Sequence, residues 1–322
     1  MKDALPNKHK DKKAEEWALI HFGRFLLYVT IVWYEFTGAI LLTTLFIYFK
    51  FHYALLALIA ILLLYRIRLP FEYNGALYLK WMRKNSWLRL VNNAEPWETI
   101  FMEKLDATEM YMIVGYPHGM LPISWLLFLF DLAKHNIFPR AFVADIVMRI
   151  PGCREITLLL GGVNASWKSI KKACEQGQSM FVLPGSITEM KYNDKKADKH
   201  IYVIKRKGFL KASLQYGYTI VPVVGVGVTD LYSALIIPSE WFKRLFGIYP
   251  FVPFGEYEVC FPRTVPIHNI IGKPIKVEKN VLYTEDDVTK LSDKYYSGLQ
   301  DALDHYNALY SDDYELKIVT ES

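Results

Sequence analysis

The chain has 322 residues, 52% of them hydrophobic and 15% aromatic, with a mean hydropathy of +0.11. That is enough for one large domain or a domain with an appendage, and too polar overall for a polytopic transporter. A formal net charge of +5 favours anionic partners, a membrane surface or a phosphate-bearing substrate, and without zinc-finger spacing or a recognition motif no nucleic-acid partner is expected.

Residues 1–16 are polar and lysine-rich (Lys2, Lys8, Lys10, Lys12, Lys13), so a disordered basic N-terminus is expected. The apolar excess is concentrated in residues 17–64, a run too long for a cleavable signal peptide. Lys50 and His52 divide it into two uncharged stretches, 36–49 and 53–65. Residues 17–68 are therefore predicted to form a membrane helical hairpin, either spanning or re-entrant. Lysines before it and Arg66 and Arg68 after it place both termini on the cytosolic side.

Residues 69–322 have ordinary composition and are expected to form one domain. Residues 111–115 (YMIVG), 178–183 (QSMFVL) and 219–224 (TIVPVV) are read as strands, with Pro222 arguing for a bulge or a sheet edge. Helical spacing covers 165–176 and 208–216, each ending at a C-cap glycine, Gly177 or Gly217. Residues 285–309 form an amphipathic helix with apolar positions Val288, Leu291, Tyr295, Leu299, Leu303 and Tyr306, capped by Thr284 with Asp287. Strands alternating with helices predict an α/β fold with a mixed, largely parallel sheet flanked by helices. Cys153, Cys174 and Cys260 are odd in number and lack metal-ligand spacing, which fits reduced thiols and no metal.

In an open α/β sheet, chemistry collects beyond the carboxyl ends of the strands. The first strand delivers Tyr116-Pro117-His118-Gly119 to that edge, where an imidazole suits deprotonation of an alcohol. The second delivers Gly185 and Glu189, the latter a candidate to orient or charge-stabilise His118, to hold an acceptor hydroxyl, or merely to cap a helix. Ser186 lacks the Gly-x-Ser-x-Gly elbow of a nucleophile. Arg206, Lys207, Gly208, Phe209 and Lys211 combine positive charge with a helix start, a setting for phosphate.

These segments, in this order, resemble the type 2 diacylglycerol acyltransferase family, which includes monoacylglycerol and wax-alcohol acyltransferases. Residues 111–119 look like its strand and His-Pro-His-Gly block. Residues 205–217 with Ile220-Val221-Pro222 are similar to its Arg-x-Gly-Phe segment. Gly161-Gly162-Val163, residues 185–189, and 271–275 resemble further blocks, and the likeness covers about residues 20–310. Tyr116 stands where the family usually has its first histidine.

The resemblance implies a glycerolipid-acyltransferase-like fold and a catalytic domain over 69–322. It implies transfer of an acyl group from acyl-CoA to diacylglycerol or a similar neutral lipid, at the endoplasmic reticulum membrane and often at lipid droplets. Acyl-CoA is then a substrate, and no cofactor is expected. His118 and Glu189 become the expected catalytic pair. Tyr116, Pro117, Gly119, Gly185, Arg206, Lys207, Gly208, Phe209 and Lys211 become expected substrate contacts. Acceptors such as monoacylglycerol, a wax alcohol or a lysophospholipid stay open, as do a homo-oligomer and a non-catalytic lipid-binding role.

Overall fold

The computed structural model describes residues 44, 51–66, 96–150, 152–185, 189, 199–237, 239–246, 249–256 and 261–319. Most of the expected membrane hairpin lies outside these residues. The described part is helix α1 (Phe51–Arg66), 16 residues in which Tyr53, Leu55, Leu56 and Ile59 are exposed. Among the described residues no helix is long and apolar enough to cross a membrane.

The body is built on a seven-stranded sheet. Its strands are β1 (Trp97–Phe101), β2 (Tyr111–Tyr116), β3 (Arg140–Val143), β4 (Val163–Asn164), β5 (Met180–Val182), β7 (Thr219–Val226) and β10 (Ile267–Ile271), in spatial order β1-β10-β7-β2-β5-β3-β4. Every pairing is parallel except that of β10 with β7, which makes the sheet mixed and largely parallel. β2 and β7 are buried along their whole length, which is why they read as unbroken apolar runs.

The two-residue period of β2 divides its side chains between two cores. Met112, Val114 and Tyr116 face helices α5 (Gly208–Tyr216) and α7 (Glu285–Tyr310). Tyr111 and Ile113 face α2 (Ile123–Lys134). At Gly115 and Gly225 an added Cβ would stand 2.9 and 3.0 Å from the Trp125 ring, so these glycines let α2 lie close on the sheet. Two further helices are α3 (Cys153–Leu159) and α4 (Trp167–Glu175), the latter capped by Ser166. Cys153 and Cys174 are free and buried; Cys260 lies outside the described residues.

Pro222 is not at a sheet edge, because β2 and β10 flank β7. It sits instead at a bulge in the neighbouring chain. Ile220 exchanges two hydrogen bonds with Ile275, and Val223 faces Ile271, so three steps along β7 match four along its neighbour. The N–H that proline lacks falls at this irregularity, while its carbonyl accepts from Gly272 N–H at 2.8 Å. An added Cβ on Gly272 would be 2.9 Å from the proline ring, so the Gly-Lys-Pro block makes room for it.

Two small sheets were not anticipated. Strand β6 (His200–Ile204) pairs in parallel with β11 (Glu315–Val319), which follows α7. Strands β8 (Ser233–Ile236) and β9 (Phe251–Phe254) form an antiparallel ribbon around α6 (Glu240–Phe246).

Helix α7 starts at a capping box. Thr284 accepts from Asp287 N–H and Asp287 accepts from Thr284 N–H, satisfying donors at the helix end. Its inner face buries Val288, Leu291, Tyr295, Leu299, Leu303 and Tyr306, the periodic residues read from sequence. Replacing Thr284 with Ala is expected to cost about 1 kcal/mol, read as a lower unfolding midpoint with the fold retained by circular dichroism.

Candidate active site

At the carboxyl end of β2 the chain passes through a cis Tyr116–Pro117 peptide to His118. Across residues 111–120 only His118 keeps some exposure; the rest are buried. The loop is held from three sides. Trp125 donates through Nε1 to the Pro117 carbonyl at 2.9 Å, the Tyr116 hydroxyl donates to the Ile204 carbonyl at 2.8 Å, and His118 N–H donates to Glu189 Oε2 at 3.0 Å.

The imidazole itself is oriented by its neighbour. Gly119 has φ +70, a left-handed turn that favours glycine. That turn brings the Gly119 carbonyl to 2.8 Å from His118 Nδ1. A carbonyl only accepts, so Nδ1 carries the proton and Nε2 keeps a lone pair. Burial lowers the His118 pKa below its ordinary value, against a smaller opposing pull from the Gly119 carbonyl. The ring is therefore neutral at physiological pH and able to accept a proton.

Glu189 does not orient this ring through any described hydrogen bond. Its carboxylate holds the backbone N–H of His118, fixing the main chain from which the ring projects. Gly185 makes this contact possible, because an added Cβ would lie 1.8 Å from Glu189 Oε2. Delivery of both residues to the same sheet edge suggests a carboxylate–imidazole pair, whereas the fold places the carboxylate against an amide.

The basic segment follows the end of β6, and the Tyr116–Ile204 hydrogen bond ties it to the histidine loop. Arg206 N–H donates to the Tyr296 hydroxyl at 3.3 Å, and Lys205 Nζ lies 5.2 Å from the centre of the Tyr296 ring. Lys207 caps α5 without a side-chain bond, so its side chain does not take up the first N–H groups of that helix. Nothing lies within 4 Å of where a Cβ on Gly208 would be.

Three expected substrate contacts are otherwise occupied. Phe209 is buried against Tyr295, their ring centroids 4.9 Å apart, so it belongs to the core. Lys207 and Lys211 both pair with Glu285, at 3.3 and 2.5 Å. Residues 186–188 lie outside the described set.

Sequence reasoning missed Trp125, Tyr295 and Tyr296, which support the site from two helices. Tyr116 and Tyr295 are pushed well above the usual phenol range, chiefly by burial. They stay protonated at neutral pH. Gly161 and Gly162 are structural: Arg140 Nε donates to the Gly161 carbonyl at 2.6 Å, and a Cβ on Gly162 would strike Thr157. Among the described residues no group of three or more His, Cys, Asp or Glu could hold a metal ion.

The diacylglycerol acyltransferase family profile matches residues 45–319. The chain is 26% identical over 265 residues to diacylglycerol O-acyltransferase 2A of Umbelopsis ramanniana, covering 74% of each protein. It is 23% identical over 248 residues to acyl-CoA wax alcohol acyltransferase 2 of Mus musculus, covering 70% of this chain and 74% of that one. With diacylglycerol O-acyltransferase 1 of Saccharomyces cerevisiae the identity is 32% over 244 residues, covering 69% of this chain and 58% of the relative. No solved structure matches the chain. A profile that spans the histidine loop, the carboxylate that holds it and the basic helix start shows that the chain belongs to the diacylglycerol acyltransferase family.

Proposed function

We propose that the protein transfers a fatty-acyl group from acyl-CoA to the hydroxyl of a neutral membrane lipid, with diacylglycerol as the favoured acceptor and triacylglycerol as product. The observation that carries this reading is the His118 tautomer. Its Nδ1 proton is committed to the Gly119 carbonyl, so Nε2 offers a lone pair from the partly exposed rim of the sheet.

In this mechanism Nε2 takes the proton of the acceptor hydroxyl as its oxygen attacks the thioester carbonyl. The tetrahedral intermediate collapses by expelling the coenzyme A thiolate, which recovers the proton from His118. Transfer is direct, and no acyl-enzyme forms. His118 N–H is taken by Glu189, so oxyanion stabilisation falls to N–H groups near Gly119 or Gly185.

The coenzyme A phosphates are assigned to Lys205, Arg206 and the α5 N-terminus. Lys207 and Lys211 are recruited by exchange from Glu285, since such exposed pairs are worth only about 0–1 kcal/mol. The work is assigned to the endoplasmic reticulum membrane. The apolar run of residues 17–64 and the exposed apolar side chains of α1 support that placement. An acceptor panel with one labelled acyl-CoA, resolved by lipid class, tests the reading. Triacylglycerol as the main product is expected; wax ester, diacylglycerol or phospholipid would reassign the acceptor, and no product with any acceptor would favour a lipid-binding role.

His118→Ala is expected to lower kcat by about 10²–10⁴-fold without loss of membrane association. Undiminished turnover would remove His118 from the chemistry. The pH dependence has a definite sign. Because the His118 pKa lies below 6.5, kcat/KM should stay level through neutrality and fall on the acid side, with a midpoint below that value. A midpoint at or above it contradicts the desolvated base.

Gly185→Ala must displace the Glu189 carboxylate. It is expected to reduce kcat by about 100-fold, through a misplaced His118 loop, with little change in the KM for acyl-CoA. Arg206→Ala is expected to raise the KM for acyl-CoA about tenfold and leave kcat nearly unchanged. An unaltered KM would exclude the phosphate contact.

A further inference from the structure

We propose that the outward face of the β8–β9 ribbon, together with the first turn of α6, is a lipid-contact surface that seats the catalytic edge on the bilayer. Leu235, Ile237, Trp241 and Val252 are 58%, 48%, 69% and 43% exposed within this one connected segment. Leu235 and Val252 are register partners across the ribbon. Ile237 lies two residues beyond Leu235, on the same side, and its N–H donates to the Pro250 carbonyl. The opposite face is apolar too, with Ala234, Ile236 and Phe251 packed on the core beneath α2.

A surface ribbon ordinarily alternates apolar inward with polar outward. Here both faces are apolar, and a lone two-stranded ribbon has little stability of its own in water. The charge beside the patch says what covers it. Glu240 is engaged by the Tyr249 hydroxyl, whereas Arg244, three residues after Trp241 and on the same side of the helix, is exposed. A tryptophan and aliphatic residues bordered by a guanidinium match acyl chains beneath phosphate headgroups.

The position of the ribbon also fits this partner. It leaves the same sheet edge that carries His118. Val228, just after β7, lies where a Cβ on Gly119 would meet it at 2.8 Å, and β8 begins five residues later. The base is pinned by Arg263, whose guanidinium donates to the Asp230 carbonyl at 3.3 Å and to Ser233 Oγ at 3.1 Å. A ribbon fixed at its root and apolar at its outer face would set the height and tilt of the histidine above the membrane. This contact involves residues 235–252 in the body of the domain.

The test uses the full chain reconstituted in phosphatidylcholine vesicles containing phosphatidylserine and diacylglycerol. Tryptophan emission is compared between the parent and Trp241→Phe, with and without lipids brominated along their acyl chains. The Trp241 contribution, taken by difference, is expected to be quenched by brominated lipid; no quenching overturns the proposal whatever the enzymatic activity. In the second arm, Leu235→Glu/Trp241→Glu is expected to raise the KM for vesicle-borne acceptor about tenfold, with the KM for acyl-CoA unchanged. An unchanged acceptor KM in a folded variant overturns it. So does a detergent-solubilised particle that loses mass on Trp241→Glu, since the patch would then join two copies of the chain. The kinetic arm rests on the acyltransfer reading; the fluorescence arm does not, so the two failures are distinguishable.

Discussion

The hydrogen bond from His118 Nδ1 to the Gly119 carbonyl decides what the rest of the site can do. It fixes the tautomer, and with it which nitrogen can receive a proton. The bond depends on a left-handed glycine, and the glycine depends on a loop whose ends are held by Trp125, Tyr116 and Glu189. Each of these holding groups belongs to a different element. The His118 ring is thus positioned by α2, by the end of β6 and by the segment after β5 acting together.

This arrangement explains how a carboxylate can serve a histidine without touching its ring. A carboxylate bonded to the imidazole would favour the charged form and raise its pKa. By accepting instead from the backbone N–H, Glu189 positions the ring while burial keeps it neutral. Tyr116 acts in the same sense. Its hydroxyl spans from the histidine loop to Ile204, which ties the loop to the basic segment, and its phenol is too well buried to ionise.

Much of the fold was legible in the sequence because it follows from local patterns. The unbroken apolar runs of β2 and β7 fit strands covered on both faces. The capping box and three-to-four-residue spacing of α7 defined its start and inner face. The ribbon of β8 and β9 gave no such signal, since its apolar residues do not alternate with polar ones. Pro222 was half legible. Its missing N–H called for a break in the ladder, but whether an edge or a bulge supplied it depended on where Gly272 to Ile275 would lie.

The sequence by itself determined that an imidazole arrives after β2 and a carboxylate after β5, and that guanidinium and ammonium groups stand at the start of α5. Their partners were decided only by the tertiary structure. Glu189 holds a backbone amide 71 residues away, Tyr116 reaches a carbonyl 88 residues away, and Lys211 meets a carboxylate 74 residues away. Phe209, chosen from its motif as a ligand contact, belongs to the core because α7 packs Tyr295 against it. The physical reason is that periodicity and capping act within a few residues, whereas hydrogen-bond and ion-pair partners are selected by chain crossings that no local pattern encodes.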